Sequence, residues 1–237
     1  MFLLKELSVL EHLDEVRKRL ISFAVVLGIL FIIGIIFSNT VIKKVQHDLI
    51  PSEKITIITI SPLQYFYTQM MVSLVIAIVL AIPYLLYQLL SFIRPALSKK
   101  EMHATLLIIP AIVLLFIAGV FFCYYAFLKY AVLFFASLGI QGNVTNMWGI
   151  EEFLSFVLYS CLGFGLVFQL PLLLYVLYKL KIISKEFLKK QRKYVYVALF
   201  IAAAVITPQT DAVSMLIMAT VLIILYELSL ILIRIFA

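Results

Sequence analysis

Two glutamates carry the most suggestive chemistry in this chain: Glu15 in the segment EHLDEVRKRL and Glu101 in FIRPALSKKEMHA. A carboxylate accepts the planar two-donor fork of a guanidinium in a way that an ammonium group cannot copy. Two such acids beside an apolar surface therefore suit a ligand with two arginines. Three further polar side chains stand where they cost free energy. Glu227 falls in an apolar run, where an acid at mid-bilayer depth costs about 2.5 to 3.5 kcal/mol, unless its head reaches the interface or pairs with Arg234. Gln169 in FGLVFQLPL precedes Pro171 by two residues, and its amide suits either a carbonyl that the proline leaves unpaired or a polar group on a neighbouring helix. Asp211 in TPQTDAVS sits just before a helix start, the place of an N-cap.

The elements that position these groups have to be membrane helices. Of 237 residues, 65% are hydrophobic and 13% charged, against about 45–50% and 25% in soluble domains, and the mean hydropathy is +1.17. The apolar runs are continuous rather than alternating, which calls for helices and not a barrel. The expected fold is an all-α integral membrane protein, one domain over residues 1–237, with six spans at about 20–37, 64–91, 105–128, 152–178, 195–207 and 212–233. The two final spans are short. The thirteen residues of the fifth reach about 20 Å against a hydrocarbon core of about 30 Å. It calls for local bilayer thinning, snorkelling flanks or shelter behind its neighbours.

Arg17, Lys18 and Arg19 before an apolar run imitate a secretory signal peptide, but the run exits through SNTVIKK with no small-residue cleavage site. The segment instead reads as an amphipathic lead-in to span one. Leu13, Val16 and Leu20 share a face, and Asp14–Lys18 and Glu15–Arg19 are acid-first i, i+4 pairs. Counted by connection, 15 Lys and Arg fall on one side of the membrane and 4 on the other, which places both termini in the cytoplasm. The net charge of +7 is this bias; it calls for no nucleic-acid partner, and contact with anionic lipid follows from it. Pro83, Pro110 and Pro171 are expected to bend spans two, three and four. Cys123 and Cys161 read as core thiols. The outer segment 38–61, with its β-branched KITIITI, is the longest connection and a candidate cap for the outer face.

No GxxxxGK[ST], HExxH or GxSxG is present, and His12, His47 and His103 stand far apart. Nucleotide hydrolysis by a P-loop, zinc proteolysis and serine hydrolysis lose their simplest support, and neither metal nor cofactor is called for. A receptor or scaffold and a small-solute secondary transporter both fit these residues. The transporter predicts related halves with broken helices in corresponding positions, and no such repeat is visible.

EHLDEVRKRL resembles the HLxELRxRL signature that opens the TatC family, the polytopic subunits of twin-arginine protein translocases. The likeness continues through SPLQYFYTQMMVSLVIAIVLAIPYLLYQLLSFIRPALSKKE and returns in FGLVFQLPL, KKQRKYVYV, ITPQTDAVS and YELSLILIR. It spans essentially the whole chain in order. The resemblance implies a docking site for the twin-arginine motif of a cargo signal peptide. That site is formed by His12, Glu15, Arg17 and Arg19 with Phe92, Pro95, Leu97 and Glu101, the two glutamates serving as counter-charges. It further implies TatA- or TatB-type single-span partners, assembly as a homo-oligomer, a cell-membrane location and a cycle driven by the proton gradient, with no bond chemistry. Asp211 and Glu227 match acidic positions of the family. The glutamate usual in span four is Gln169 here, which puts a charge- or proton-linked role at that position in question and leaves an interhelical hydrogen bond worth about 0.6 to 2 kcal/mol.

Overall fold

The computed structural model describes residues 9–50, 55–93, 99–142, 145–179, 182–207 and 211–236. No proline interrupts the first of these stretches, so the charged lead-in and the first span form one helix, α1 (Val9–Leu49), of 41 residues and about 61 Å. It overruns the expected span at both ends. Ile50 N still donates to Gln46 O at 3.0 Å, and the next residue is Pro51, which disfavours helical backbone in its predecessor. The returning helix α2 (Gln64–Ile93) runs antiparallel to α1 and passes through Pro83. Close approach of the two depends on Gly34, where a Cβ would stand 2.6 Å from the Ser73 carbonyl oxygen.

The third span is longer than its hydropathy suggested. α3 (Lys99–Phe122) passes into a π turn, Cys123–Leu128, and continues as α4 (Lys129–Gln141), thirteen residues past the expected end at 128. The wide turn directs Cys123, Phe127 and Leu128 into the core, while Lys129 faces outward with its amine 5.6 Å from the Tyr125 ring. A single exposed cation does not stop a helix. The fourth span, where Pro171 was expected to bend the helix, is broken into α5 (Ile150–Val167) and α6 (Leu170–Lys179). The proline has no N–H for the Val167 carbonyl, and the backbone tightens at the break, Gln169 N donating to Leu166 O at 3.0 Å.

A short helix not foreseen from the sequence, α7 (Lys185–Lys190), is capped by Ser184, whose Oγ accepts from Phe187 N. The short fifth span is α8 (Arg192–Ile206), 15 residues or about 22 Å. The sixth, α9 (Ala212–Phe236), has 25 residues and so is longer than expected. The first half of segment 38–61 is not a loop, since α1 continues to Leu49. Its β-branched patch supplies β1 (Thr56–Ile58), which pairs in parallel with β2 (Met147–Gly149) in the register Thr56↔Met147. Among the described residues, five helical segments are long and apolar enough to cross a membrane, and α8 makes the sixth pass. The core runs between α2, the π turn, α5 and α9, with Val72, Phe127, Leu154, Phe164, Met218 and Tyr226 buried. Cys123 and Cys161 are free, buried thiols, as expected.

Candidate functional site

At the end of the bundle where α1 begins, a line of polar side chains ties α1 to α2. Of the two lead-in pairs expected, Glu15–Arg19 forms: Glu15 Oε1 accepts from Arg19 Nε at 3.1 Å and also from Nη2. Asp14 and Lys18 are both exposed and form no ion pair among the described residues. The third nitrogen of Arg19, Nη1, crosses to α2 and donates to the Gln88 carbonyl at 3.0 Å and to Gln88 Oε1 at 2.8 Å. Gln88 Nε2 donates to the Tyr84 hydroxyl at 2.6 Å, which lies 2.6 Å from Ser22 Oγ. Ser22, Tyr84 and Gln88 were not singled out from the sequence. Their spacing was the available signal, 84 and 88 lying four apart on one helix face and 19 and 22 three apart on another.

Arg17 is exposed. His12 lies in the first turn of α1, Phe92 in the last turn of α2 and Glu101 in the first turn of α3; their side chains, and all of Pro95 and Leu97, lie outside the described residues. The five positions 94–98 join the end of α2 to the start of α3, so the backbone of Glu101 is at the same end of the bundle as Glu15.

Gln169 sits at the α5–α6 break and donates through Nε2 to the Ile112 carbonyl on α3 at 3.2 Å. Of the two roles expected, the interhelical one is realised; the carbonyl freed by Pro171 is not its partner. Its Oε1 is buried and accepts no hydrogen bond among the described residues, which costs about 1–3 kcal/mol. The amide lines a cavity of about 470 Å³ whose other walls are apolar, among them Leu166, Leu173, Leu199, Ile206 and Leu222. α5, α6, α8 and α9 thus frame a hollow with one polar group at depth.

Asp211 behaves as the N-cap of α9, its Oδ1 accepting from Ser214 N at 2.8 Å. Glu227 pairs, though not with Arg234 as one reading had it. Its Oε2 accepts from Arg192 Nη2 at 2.9 Å and its Oε1 from the Tyr196 hydroxyl at 2.6 Å. Both partners come from the first turns of α8, which packs along α9. Arg234 is on the same helix, seven residues further on, nearly two turns away. Beside this pair, the buried Tyr226 donates to the Leu188 carbonyl at 2.8 Å and anchors α7.

Six helical passes, apolar at depth and polar at the ends, define a polytopic membrane protein. Residues 11–220 match the family described as Sec-independent protein translocase protein (TatC). The TatC protein of Carboxydothermus hydrogenoformans is 36% identical over 230 residues, covering 95% of this chain and 92% of that one. TatCy of Bacillus subtilis is 37% identical over 224 residues, covering 94% and 87%. The crystal structure of a twin arginine translocase receptor, TatC, in DDM superposes with a TM-score of 0.83 at 34% identity, over 94% of this chain and 99% of that one. The chain belongs to the TatC family and is a multi-pass membrane subunit of a Sec-independent protein translocase.

Proposed function

We propose that this subunit is the cargo receptor and assembly core of a twin-arginine translocase. Both termini face the cytoplasm, and the basic end of the bundle receives the signal peptide of a folded cargo protein. Glu15 and Glu101 take the two arginines, with His12, Arg17, Arg19, Phe92, Pro95 and Leu97 around them, and the peptide's apolar segment lies along the bundle. TatA- or TatB-type single-span subunits gather at the hollow beside Gln169, with Asp211 and Glu227 bracing α9 behind it. Assembly into homo-oligomers and the proton gradient complete the cycle in the cell membrane.

The observation that carries this reading is the partly exposed carboxylate of Glu15, 32% accessible, already engaging a guanidinium at the end of the bundle where α3 begins. A charge-assisted hydrogen bond is worth about 1.5–3 kcal/mol, so a dry Arg–Glu contact changes binding by roughly 10- to 150-fold. The test is binding of a fluorescent signal peptide to the purified protein in detergent, Arg-Arg against Lys-Lys, with Glu15→Gln and Glu101→Gln. At least tenfold tighter Arg-Arg binding, erased by either substitution, supports the assignment. Equal binding of both peptides in every variant overturns it and favours the small-solute transporter.

A further inference from the structure

At the end of the bundle opposite Glu15, a cavity of about 310 Å³ lies between α4, β2 and the first two turns of α5, a volume at the lower end of the range of ligand pockets. Its walls are the rings of Phe135, Trp148, Phe153 and Phe156, completed by Gly149 and Glu152. The rings hold one another in place. Trp148 and Phe153 have centroids 6.1 Å apart, Phe135 meets Phe156 edge to face at 6.0 Å, and Phe153 and Phe156 are buried.

A carboxylate in the first turn of a helix complements the helix dipole, which accounts for an acid at position 152. It does not account for the rings around it, nor for Gly149. With φ at −66° and ψ at 138°, residue 149 has extended backbone that any residue adopts. What glycine supplies there is room, because a Cβ would collide with Glu152 Oε2. The carboxylate rests against the cavity wall only because residue 149 has no side chain. Among the described residues Glu152 forms no ion pair. Its polar contact is Gln64 Nε2, 3.4 Å from Oε2, and Gln64 is turned that way by accepting Ile60 N on its own Oε1 at 2.6 Å.

We propose that this cavity binds an organic ammonium group, with Glu152 as its counter-charge and the four rings as its cage. Ring faces attract cations and suit alkylated ammonium groups best. An anion is repelled by Glu152, and a purely apolar guest strips water from the carboxylate without replacing it. A guanidinium fork wants both carboxylate oxygens, and Oε2 already faces Gln64. The cavity stands where an apolar segment, Ile150–Tyr178, begins, the level of lipid head groups. A phospholipid amine head group and a dissolved amine offer the same chemistry there.

Trp148 is the single tryptophan of the chain, so intrinsic fluorescence of the full-length protein in maltoside detergent reads the cavity directly. Tetramethylammonium chloride, titrated against sodium chloride at equal ionic strength, is expected to change the emission saturably. Glu152→Gln is expected to weaken that binding at least about tenfold. Gly149→Ala is expected to weaken it several-fold with Glu152 intact, since the carboxylate ends a flexible side chain and swings away before the backbone shifts; this variant carries the test should Glu152→Gln not fold. Phe135→Leu keeps apolar bulk without a ring face and is expected to cost several-fold. Absence of a saturable response, or one that Glu152→Gln and Gly149→Ala leave unchanged while both melt normally, overturns the proposal and returns Glu152 to helix capping. Two vesicle preparations of equal surface charge distinguish the sources: equal parts phosphatidylglycerol and phosphatidylcholine, and equal parts phosphatidylglycerol and a neutral glycolipid. A tetramethylammonium response suppressed only with phosphatidylcholine assigns the cavity to a lipid head group, and equal responses assign it to a dissolved amine.

Discussion

Arg192 and Glu227 close the basic end of α8 onto α9, with 2.9 Å between Nη2 and Oε2 and the Tyr196 hydroxyl on the other carboxylate oxygen. The side chains are 46% and 33% accessible, so the protein does not enclose the pair, and pairs exposed in this way contribute about 0–1 kcal/mol where water reaches them. The tyrosine bond adds about 0.5–1.5 kcal/mol. Glu227→Ala is therefore expected to lower unfolding stability by about 1–2 kcal/mol, with Arg192→Gln and Tyr196→Phe each costing less. Detergent melts of the three variants and the Glu227→Ala, Arg192→Gln double variant measure this. A coupling energy well above 1 kcal/mol would mean the pair is drier than its exposure indicates.

Gly28 and Gly34 stand on the same helix and should respond in opposite directions. A Cβ at Gly28 has nothing within 4 Å, while one at Gly34 meets the Ser73 carbonyl oxygen at 2.6 Å. Gly28→Ala gains helix propensity and should raise stability by up to about 1 kcal/mol. Gly34→Ala has to part α1 from α2 and should cost about 1–3 kcal/mol. Paired melting curves decide it, and equal shifts would show that α1 and α2 are not in contact at Ser73.

Gln169→Leu separates stability from function. The substitution loses one interhelical hydrogen bond, worth about 0.6–1.7 kcal/mol in membrane proteins, but removes an unpaired buried oxygen that costs about 1–3 kcal/mol. The net change in melting is expected to be small or favourable. Export of a twin-arginine cargo is expected to fall if partner helices use the amide. Full export together with unchanged stability would leave the hollow without that role.

Glu101→Ala is expected to abolish export of a folded twin-arginine reporter while the protein remains inserted at normal abundance. Normal export by the variant would remove Glu101 from the arginine site.

The helical membrane class was legible without coordinates, because burying apolar runs in lipid leaves few alternatives to helices. The break near Gln169 falls within one turn of Pro171, but Pro83 and Pro110 stand inside helices that continue through them, so a proline alone did not tell which span would break. The Glu15–Arg19 pair was readable as one of two i, i+4 candidates, but the equally spaced Asp14 and Lys18 stay apart, and Arg19 is additionally held by Gln88 on α2. The ends of α1, α4 and α9 were not legible, because hydropathy marks where a chain enters lipid and a helix continues until something breaks it. Lys129 looked like a boundary and is an exposed side chain on a helix that runs on to Gln141.

What only the tertiary structure decided were the partners contributed by other helices. Nothing local says that Glu227 meets Arg192 rather than Arg234, that Gln169 finds Ile112 on α3, or that Arg19 is shared between Glu15 and Gln88. Spacing along one helix is fixed by its 3.6-residue turn. Which residue of another helix lies opposite is set by where two surfaces pack, and at the α1–α2 crossing that depends on a glycine, Gly34, having no side chain to hold them apart.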